Sequence, residues 1–124
     1  MLAPEHRLRR STDFGVAVRH GRRASRPLLT VHLLGPGPTS GDQPARAGLI
    51  VGKVVGGSVV RSRTSRRLRH LLRDRVDALP AGTLLVVRAA PAAGAATSAA
   101  LEVDLDRALG AARRARLPQA RSAG

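Results

Sequence analysis

Residues 51–76 read VGKVVGGSVVRSRTSRRLRHLLRDRV, and this stretch carries the strongest structural pattern in the chain. An apolar segment ends at the pair Gly56–Gly57, and a run with helical periodicity begins directly after it. Because paired glycines interrupt regular structure and Pro80–Gly82 interrupts it again, we predict a long helix over about residues 58–78.

A helical wheel separates the apolar from the basic side chains of this helix. The apolar side holds Leu68, Leu71, Leu72 and Val76, with Val60 near them. The basic side holds Arg63, Arg66, Arg67, His70 and Arg73, flanked by Arg69. Only Asp74 and Asp77, near the C-terminal end, oppose these charges. An ordinary solvated face usually interleaves acids with bases, so we interpret this face as a surface for phosphates.

The sequence before this helix predicts one short helix and then strands. Phe14 and Val18, at helical spacing, predict a helix over about residues 11–20, with Ser11 as N-cap and Gly21 at its C-terminal end. β-rich segments bounded by glycine and proline predict strands at about residues 22–25, 28–34 and 46–54.

The sequence after it predicts a strand and a last helix. Residues 83–89, TLLVVRA, form a nearly continuous apolar run that is typical of a strand covered on both faces. Thr97 or Ser98 should cap a helix that ends at about residue 115. Its apolar stripe consists of Leu101, Leu105, Ala108, Leu109 and Ala112.

These elements predict a single α/β (α+β) domain over residues 1–116, with helices flanking a sheet in the order α-β-β-β-α-β-α. The third strand should run antiparallel to the second and parallel to the fourth. Chain physics alone favours a right-handed crossover between parallel strands. Residues 1–10 are expected to form a basic arm, 35–45 a flexible loop and 117–124 a disordered tail.

Composition narrows the class of partner. The 124 residues include 22 basic and 8 acidic side chains, for a net charge of +14, and all but one of the basic residues are arginine. Such a surplus repels itself unless a polyanion neutralises it, and nucleic acid is the commonest such partner. An anionic membrane surface is the alternative partner, although basic helices that bind membranes usually display Trp or Phe for insertion.

Several classes of protein are disfavoured. The chain has no cysteine, which excludes disulfides and thiolate metal sites. No stretch approaches the ~20 apolar residues of a membrane span, and the N-terminus lacks the apolar core of a signal peptide, so a cytoplasmic location is expected. The four histidines show no metal-ligand spacing and no nucleophile or paired-acid motif occurs, so we expect no catalytic residue and no metal site.

The pattern Lys53-x-x-Gly56-x-x-Val59-x-Arg61-x-Arg63-x-x-Arg66-x-x-Arg69 resembles the signature helix of the bacterial ribonuclease P protein family. His6-Arg7-Leu8-Arg9 and Asp13-Phe14-x-x-Ala17-Val18-x-x-Gly21 are similar to that family's opening arm and first helix. The resemblance covers about residues 5–112. The chain departs from the family's usual residues at Gly52, Gly57, Ser62, Ser65 and Val18.

The resemblance implies a mixed four-stranded sheet with a left-handed crossover at the arginine-rich helix. It also implies a protein subunit of ribonuclease P, in which a catalytic RNA uses Mg²⁺ to remove the 5′ leader of precursor tRNA. Carried over, the residues that bind the catalytic RNA are Lys53, Arg61, Arg63, Arg66 and Arg69. The helical wheel adds Arg67 and Arg73. The residues matching the leader cleft are Phe14, Val18 and His32.

Alternative functions stay open at this point. A structural RNA-binding protein of ribosomal type would show the same charge without a cleft for single-stranded RNA. A DNA-binding protein would place the arginine helix in the major groove, but the strand-rich surroundings disfavour this. Neither a small-molecule substrate nor a membrane partner is expected.

Overall fold

The structure is a computed structural model, and it describes residues 4–36 and 43–114. Its helices and strands follow the predicted order. In chain order they are α1 (Ser11–His20), β1 (Arg22–Ser25), β2 (Leu29–Leu34), β3 (Arg46–Ile50), α2 (Ser58–Val76), β4 (Leu84–Ala89) and α3 (Ser98–Arg114). Short 3₁₀ turns lie at Pro4–His6, Lys53–Val55 and Pro91–Ala95.

The strands form one mixed sheet in the order β1-β2-β4-β3. β1 and β2 pair antiparallel, β2 and β4 pair antiparallel, and β3 pairs parallel with β4. The predicted parallel relation of the third and fourth strands is therefore confirmed. β3 runs opposite to β2 as expected, but β4 lies between them. The left-handed crossover through α2 stays a prediction.

The structure corrects the sequence prediction at the end of β3 and at the cap of α1. The strand predicted to reach residue 54 ends at Ile50, because the chain turns through Lys53–Val55 and through Gly56 at a φ of 152°. A side chain at position 56 would also meet Val60, whose Cγ1 lies 2.8 Å from the added β-carbon. Ser11 is the first residue of α1 and not its cap, since the N-cap is Arg10 and makes no side-chain bond.

The cap of α3 is settled in favour of Thr97. The backbone N–H of Ala100 donates a hydrogen bond of 3.1 Å to Thr97 Oγ1. The predicted apolar stripe of α3 is confirmed, because its members are all buried: Leu101, Leu105, Ala108, Leu109 and Ala112.

The sheet has a hydrophobic core on each face. The larger core joins the sheet to α2 and α3, and it includes Leu29, Val31, Leu33, Leu85 and Val87 from the strands together with Leu68, Leu71, Leu72 and Val76 from α2. The smaller core lies under α1 and contains Leu8, Ala17, Leu84 and Val86. The apolar side of α2 is therefore confirmed as the side that faces the sheet.

Polar contacts fix the helices on the larger core. Arg75 of α2 donates hydrogen bonds to Asp106 (2.7 Å from Nε) and to Glu102 (2.8 Å from Nη2) of α3. The bonds from Arg75 lower the pKa of Asp106 below its ordinary 3.8. The buried Asp104 accepts a bond of 3.0 Å from the backbone N–H of Leu28.

The N-terminal arm is docked against the sheet over its described residues. Leu8 is buried, and its backbone N–H donates a bond of 2.9 Å to the carbonyl oxygen of Ala47 in β3. The ring of His6 bonds to the carbonyl oxygen of Ala45 at 2.7 Å. The central part of the predicted loop, residues 37–42, and the predicted tail, 117–124, lie outside the described residues, as does the predicted domain end at 116.

Candidate nucleic-acid interface

Five basic side chains of α2 share one direction, which we call the arginine face; they are Arg63, Arg66, Arg67, His70 and Arg73. At about 100° per residue, all of them lie within about 100° of Arg66 around the helix. Arg66, His70 and Arg73 are exposed, whereas Arg63 and Arg67 are half-buried. The predicted division of the helix into an apolar and a basic side is therefore confirmed.

Internal ion pairs do not cancel this charge. Arg73 approaches Asp74 at 3.6 Å, and both side chains are about half exposed or more, so water screens the pair. No carboxylate of a described residue forms an ion pair with Arg63, Arg66 or Arg67. The arginine face therefore keeps its positive charge available to an outside anion.

Backbone carbonyls before α3 hold two of these arginines. Arg63 Nη2 donates a hydrogen bond of 3.1 Å to the carbonyl oxygen of Gly94, and Arg67 Nη1 donates one of 2.7 Å to that of Ala96. These acceptors lie 31 and 29 residues away along the chain, so sequence patterns gave no sign of them.

The remaining predicted RNA-binding residues, Arg69, Arg61 and Lys53, differ in their position relative to the arginine face. Arg69 is half-buried and lies about 60° from Arg66, at the edge of the arginine face. Arg61 is also half-buried but lies about 140° from Arg66, so the structure does not bring it onto that face. Lys53 is exposed in the turn before α2, next to the exposed Val54.

The predicted leader-binding residues lie on the opposite side of the sheet. Phe14 and Val18 are half-buried and pack on the smaller core from α1. His32 lies on the same sheet face, but it is buried, with only 6% of its surface exposed. The ring of His32 therefore leaves little open surface on which a base could stack, and its place in the leader cleft stays a prediction.

Two exposed arginines beside His32 were missed. Arg23 is directly opposite His32 in β1, and Arg88 in β4 is opposite Thr30, two residues from His32. Burial, followed by the charges of Arg23 and Arg88, lowers the pKa of His32 below its ordinary 6.5. Strand alternation could have found Arg88, because every second residue of a strand points to the same face and Arg88 follows Leu84 and Val86 on the face under α1.

The described residues offer neither a metal site nor a membrane span. Within residues 4–36 and 43–114, no three His, Asp or Glu side chains come together as metal ligands. The helices of that same part of the chain are all too short or too polar to cross a bilayer.

Comparison with known proteins identifies a family and agrees with the fold. The family model for ribonuclease P matches residues 2–113. The ribonuclease P protein component of Streptomyces avermitilis is 57% identical over 114 residues, covering 88% of this chain and 93% of that protein. That of Thermobifida fusca is 52% identical over 120 residues, covering 94% and 82%.

Solved structures show the same fold. The RNase P protein of Staphylococcus aureus matches with a TM-score of 0.74 at 20% identity, covering 86% of this chain and 94% of that one. The RNase P protein of Thermotoga maritima, in complex with 1-(4-fluorophenyl)-2-thiourea, matches with a TM-score of 0.69 at 21% identity, covering 89% and 100%. On the strength of the family model and the curated relatives, this chain belongs to the ribonuclease P protein family.

Proposed function

We propose that this chain is the protein subunit of ribonuclease P and promotes endonucleolytic 5′ maturation of tRNA. It binds the catalytic RNA with the arginine face and contacts the 5′ leader of precursor tRNA on the sheet face beside α1. Membership of the family makes it part of an endoribonuclease particle. The ribosomal-type alternative is not favoured, because the family match extends over residues 2–113.

The observation that carries the proposal is the uncancelled charge of the arginine face. Each phosphate that such a side chain neutralises releases counterions, which favours binding at low salt. Guanidinium groups also suit phosphate geometry, because they present donors in a rigid fork. Lys53 extends the basic surface beyond the start of α2, and Arg69 would add a contact at its margin. Arg61, about 140° from Arg66, would contact the RNA only outside the arginine face.

The leader is proposed to cross the sheet face between α1 and the exposed arginines. Arg23 and Arg88 would contact leader phosphates, since both side chains are exposed there. Phe14 and Val18 would form the apolar wall of this cleft, and His32 would support it from below. Single-stranded RNA is commonly held by basic grooves with apolar or aromatic platforms.

The chemistry is assigned to the RNA. In this proposal the catalytic RNA would supply the cleavage chemistry with its Mg²⁺ ions, and the protein would supply no catalytic residue and bind no cofactor of its own. The chain's contribution is to neutralise phosphates and to hold the precursor in place. We place this activity in the cytoplasm, with catalytic RNA and precursor tRNA as the partners, and propose neither a membrane nor a small-molecule substrate.

Cleavage of precursor tRNA by the catalytic RNA, at a Mg²⁺ concentration too low for the RNA alone, tests the proposal. Adding this chain should restore cleavage at the mature 5′ end. Mature tRNA, which has no leader, should compete less well for the particle than precursor tRNA. An absence of stimulation, with the chain folded and bound to the RNA, would favour the ribosomal-type alternative.

A further inference from the structure

The groove between α2 and the start of α3 contains two arginines whose position is already fixed. Arg63 and Arg67 each use one terminal nitrogen to bond a backbone carbonyl, at Gly94 and Ala96. A guanidinium has five N–H donors, so each side chain keeps donors for a second partner. Arg66, which lies between them in the sequence, is exposed and forms no ion pair with a described residue.

We propose that the carbonyl oxygens of Gly94 and Ala96 position Arg63 and Arg67 for RNA phosphates, and that Gly94 is a positioning residue of the RNA interface. This inference rests on the proposed function and deepens it. It extends the interface from α2 to the Pro91–Ala95 turn and the start of α3. The bound chemistry is the sugar–phosphate backbone of a folded RNA.

The shape of the surface supports a continuous track. An open cavity of about 360 Å³ is lined by Ser58, Val59, Ser62, Arg63 and Arg66. A second cavity of about 260 Å³ is lined by Arg66, Arg67, His70, Leu71 and Ser98. The two share Arg66, and the second reaches the first residue of α3. A backbone lying along both would meet four basic side chains in succession.

Holding an arginine in advance increases affinity, because binding then orders fewer torsions. Ordering one long side chain on binding lowers affinity by roughly two- to tenfold. Lysine keeps the charge but lacks the rigid fork that can bond a carbonyl with one edge and a phosphate with the other. Arginine identity should therefore matter more at positions 63 and 67 than at position 66.

Gly94 determines how close the turn lies to α2. A β-carbon at this position would overlap the carbonyl oxygen of Val55 and would lie 2.9 Å from Cγ1 of Val60. Val55 ends the turn before α2 and Val60 lies in its first turn, so a side chain at position 94 must push the Pro91–Ala95 turn away from α2. The carbonyl that Arg63 bonds would then move with it.

The test measures binding of the full-length chain to the transcribed catalytic RNA across a salt series. We expect Arg63→Lys and Arg67→Lys each to weaken binding by roughly two- to tenfold with an unchanged salt slope, because the charge is kept. Arg66→Lys, at a residue of the same face without a carbonyl partner, should weaken binding less than either of these changes, and Arg107→Lys, at an exposed residue of α3 outside the interface, is the control that should leave binding unchanged. Gly94→Ala should weaken binding at constant charge.

A double-mutant cycle adds a readout that a loss of fold would not give. In the Gly94→Ala background, Arg63→Lys should cause little further loss, since its carbonyl partner has already moved. Equal losses for Arg66→Lys and Arg67→Lys, or full additivity of the Gly94 and Arg63 changes, would overturn the inference. If Gly94→Ala does not fold, the comparison of the three lysine variants of α2 decides alone. Failure of the proposed function is distinct, because the wild-type chain would then not bind this RNA or stimulate cleavage.

Discussion

The ring of Phe14 lies directly over Gly48, so closely that a β-carbon at position 48 would overlap its Cζ and Cε1 atoms. Gly48 sits in the edge strand β3 beside Val86 of β4, on the sheet face where α1 lies. An ion pair of 3.3 Å between Arg46 of β3 and Asp13 of α1 lies next to this contact. Together they set the distance between α1 and the sheet, and hence the width of the proposed leader cleft.

Gly48→Ala should therefore destabilise the chain. The added methyl group must displace Phe14 in a packed region, and such overpacking typically costs about 1–3 kcal/mol in the free energy of unfolding. Urea denaturation measures this change. The control is Gly52→Ala, where nothing lies within 4 Å of the added carbon and φ is −88°. Similar losses for the two variants would contradict the packing of Phe14 on Gly48.

Arg23→Gln and Arg88→Gln should weaken binding of precursor tRNA more than binding of mature tRNA. Each change removes a charge beside the proposed path of the leader. The slope of log affinity against log salt for a single-stranded leader should become shallower by about 0.7 per lost contact. Arg107→Gln is a matched control, because Arg107 is exposed on α3 and α3 packs on the other face of the sheet. A preference for precursor that is unchanged in both variants would remove these arginines from the leader path.

The imidazole of His32 should titrate below pH 6.5 in an NMR titration of the folded chain. Its pKa is lowered by burial first and by Arg23 and Arg88 next, so Arg88→Gln should move the midpoint upward and Arg107→Gln should leave it unchanged. A lowered pKa means that the unfolded chain takes up the proton first. His32 therefore leaves stability intact above pH 6.5 and reduces it as the pH falls from 6.5 towards the folded pKa. A midpoint at or above 6.5 would contradict the burial of this side chain.

Arg75→Gln and Arg73→Gln should affect different properties, stability and RNA binding respectively, although the residues are two positions apart. Arg75→Gln breaks the bonds to Glu102 and Asp106 and should lower the free energy of unfolding by about 1 kcal/mol, without reducing affinity for the RNA. Arg73→Gln should leave stability nearly unchanged. It should make the slope of log RNA affinity against log salt shallower by about 1, the value for one lost phosphate contact. Urea denaturation and RNA titration of both variants separate the two roles.

The stability effect of Arg75 should also depend on pH. The pKa of Asp106 is lowered by the hydrogen bonds from Arg75, so this contribution is complete above its ordinary pKa of 3.8 and is lost as the pH falls through the folded value. The difference between the wild type and Arg75→Gln should therefore shrink in acid. A difference that stayed constant below pH 3.8 would assign the effect to packing and not to the ion pair.

Local patterns predicted most of the fold. The apolar stripes of α2 and α3 and the order of the elements follow from residues three or four apart, or from turn residues between them. The boundary of β3 was wrong because the apolar run through Val51, Val54 and Val55 continues past the residues that pair with β4. Its side chains suit a strand, but Gly52 and Gly56 turn the backbone into a 3₁₀ turn.

The candidate site was predicted less completely. The direction of the arginine face needs only helical periodicity, so the sequence was sufficient for it. The fixed position of Arg63 and Arg67 depends on carbonyls of a distant turn, and the burial of His32 depends on how α1 lies on the sheet. Arg61 matched a family pattern, but the structure turns it away from its neighbours.

The sequence by itself determined that one side of α2 is apolar and the other is a row of arginines, because both follow from the 3.6-residue repeat of a helix whatever surrounds it. Only the tertiary structure decided that β4 lies between β2 and β3, that Phe14 rests on Gly48, and that Arg63 and Arg67 meet the carbonyls of Gly94 and Ala96. These contacts join residues about 30 or more positions apart. They depend on strand register and helix packing, which are settled when the whole chain buries its apolar surface and which no single segment specifies.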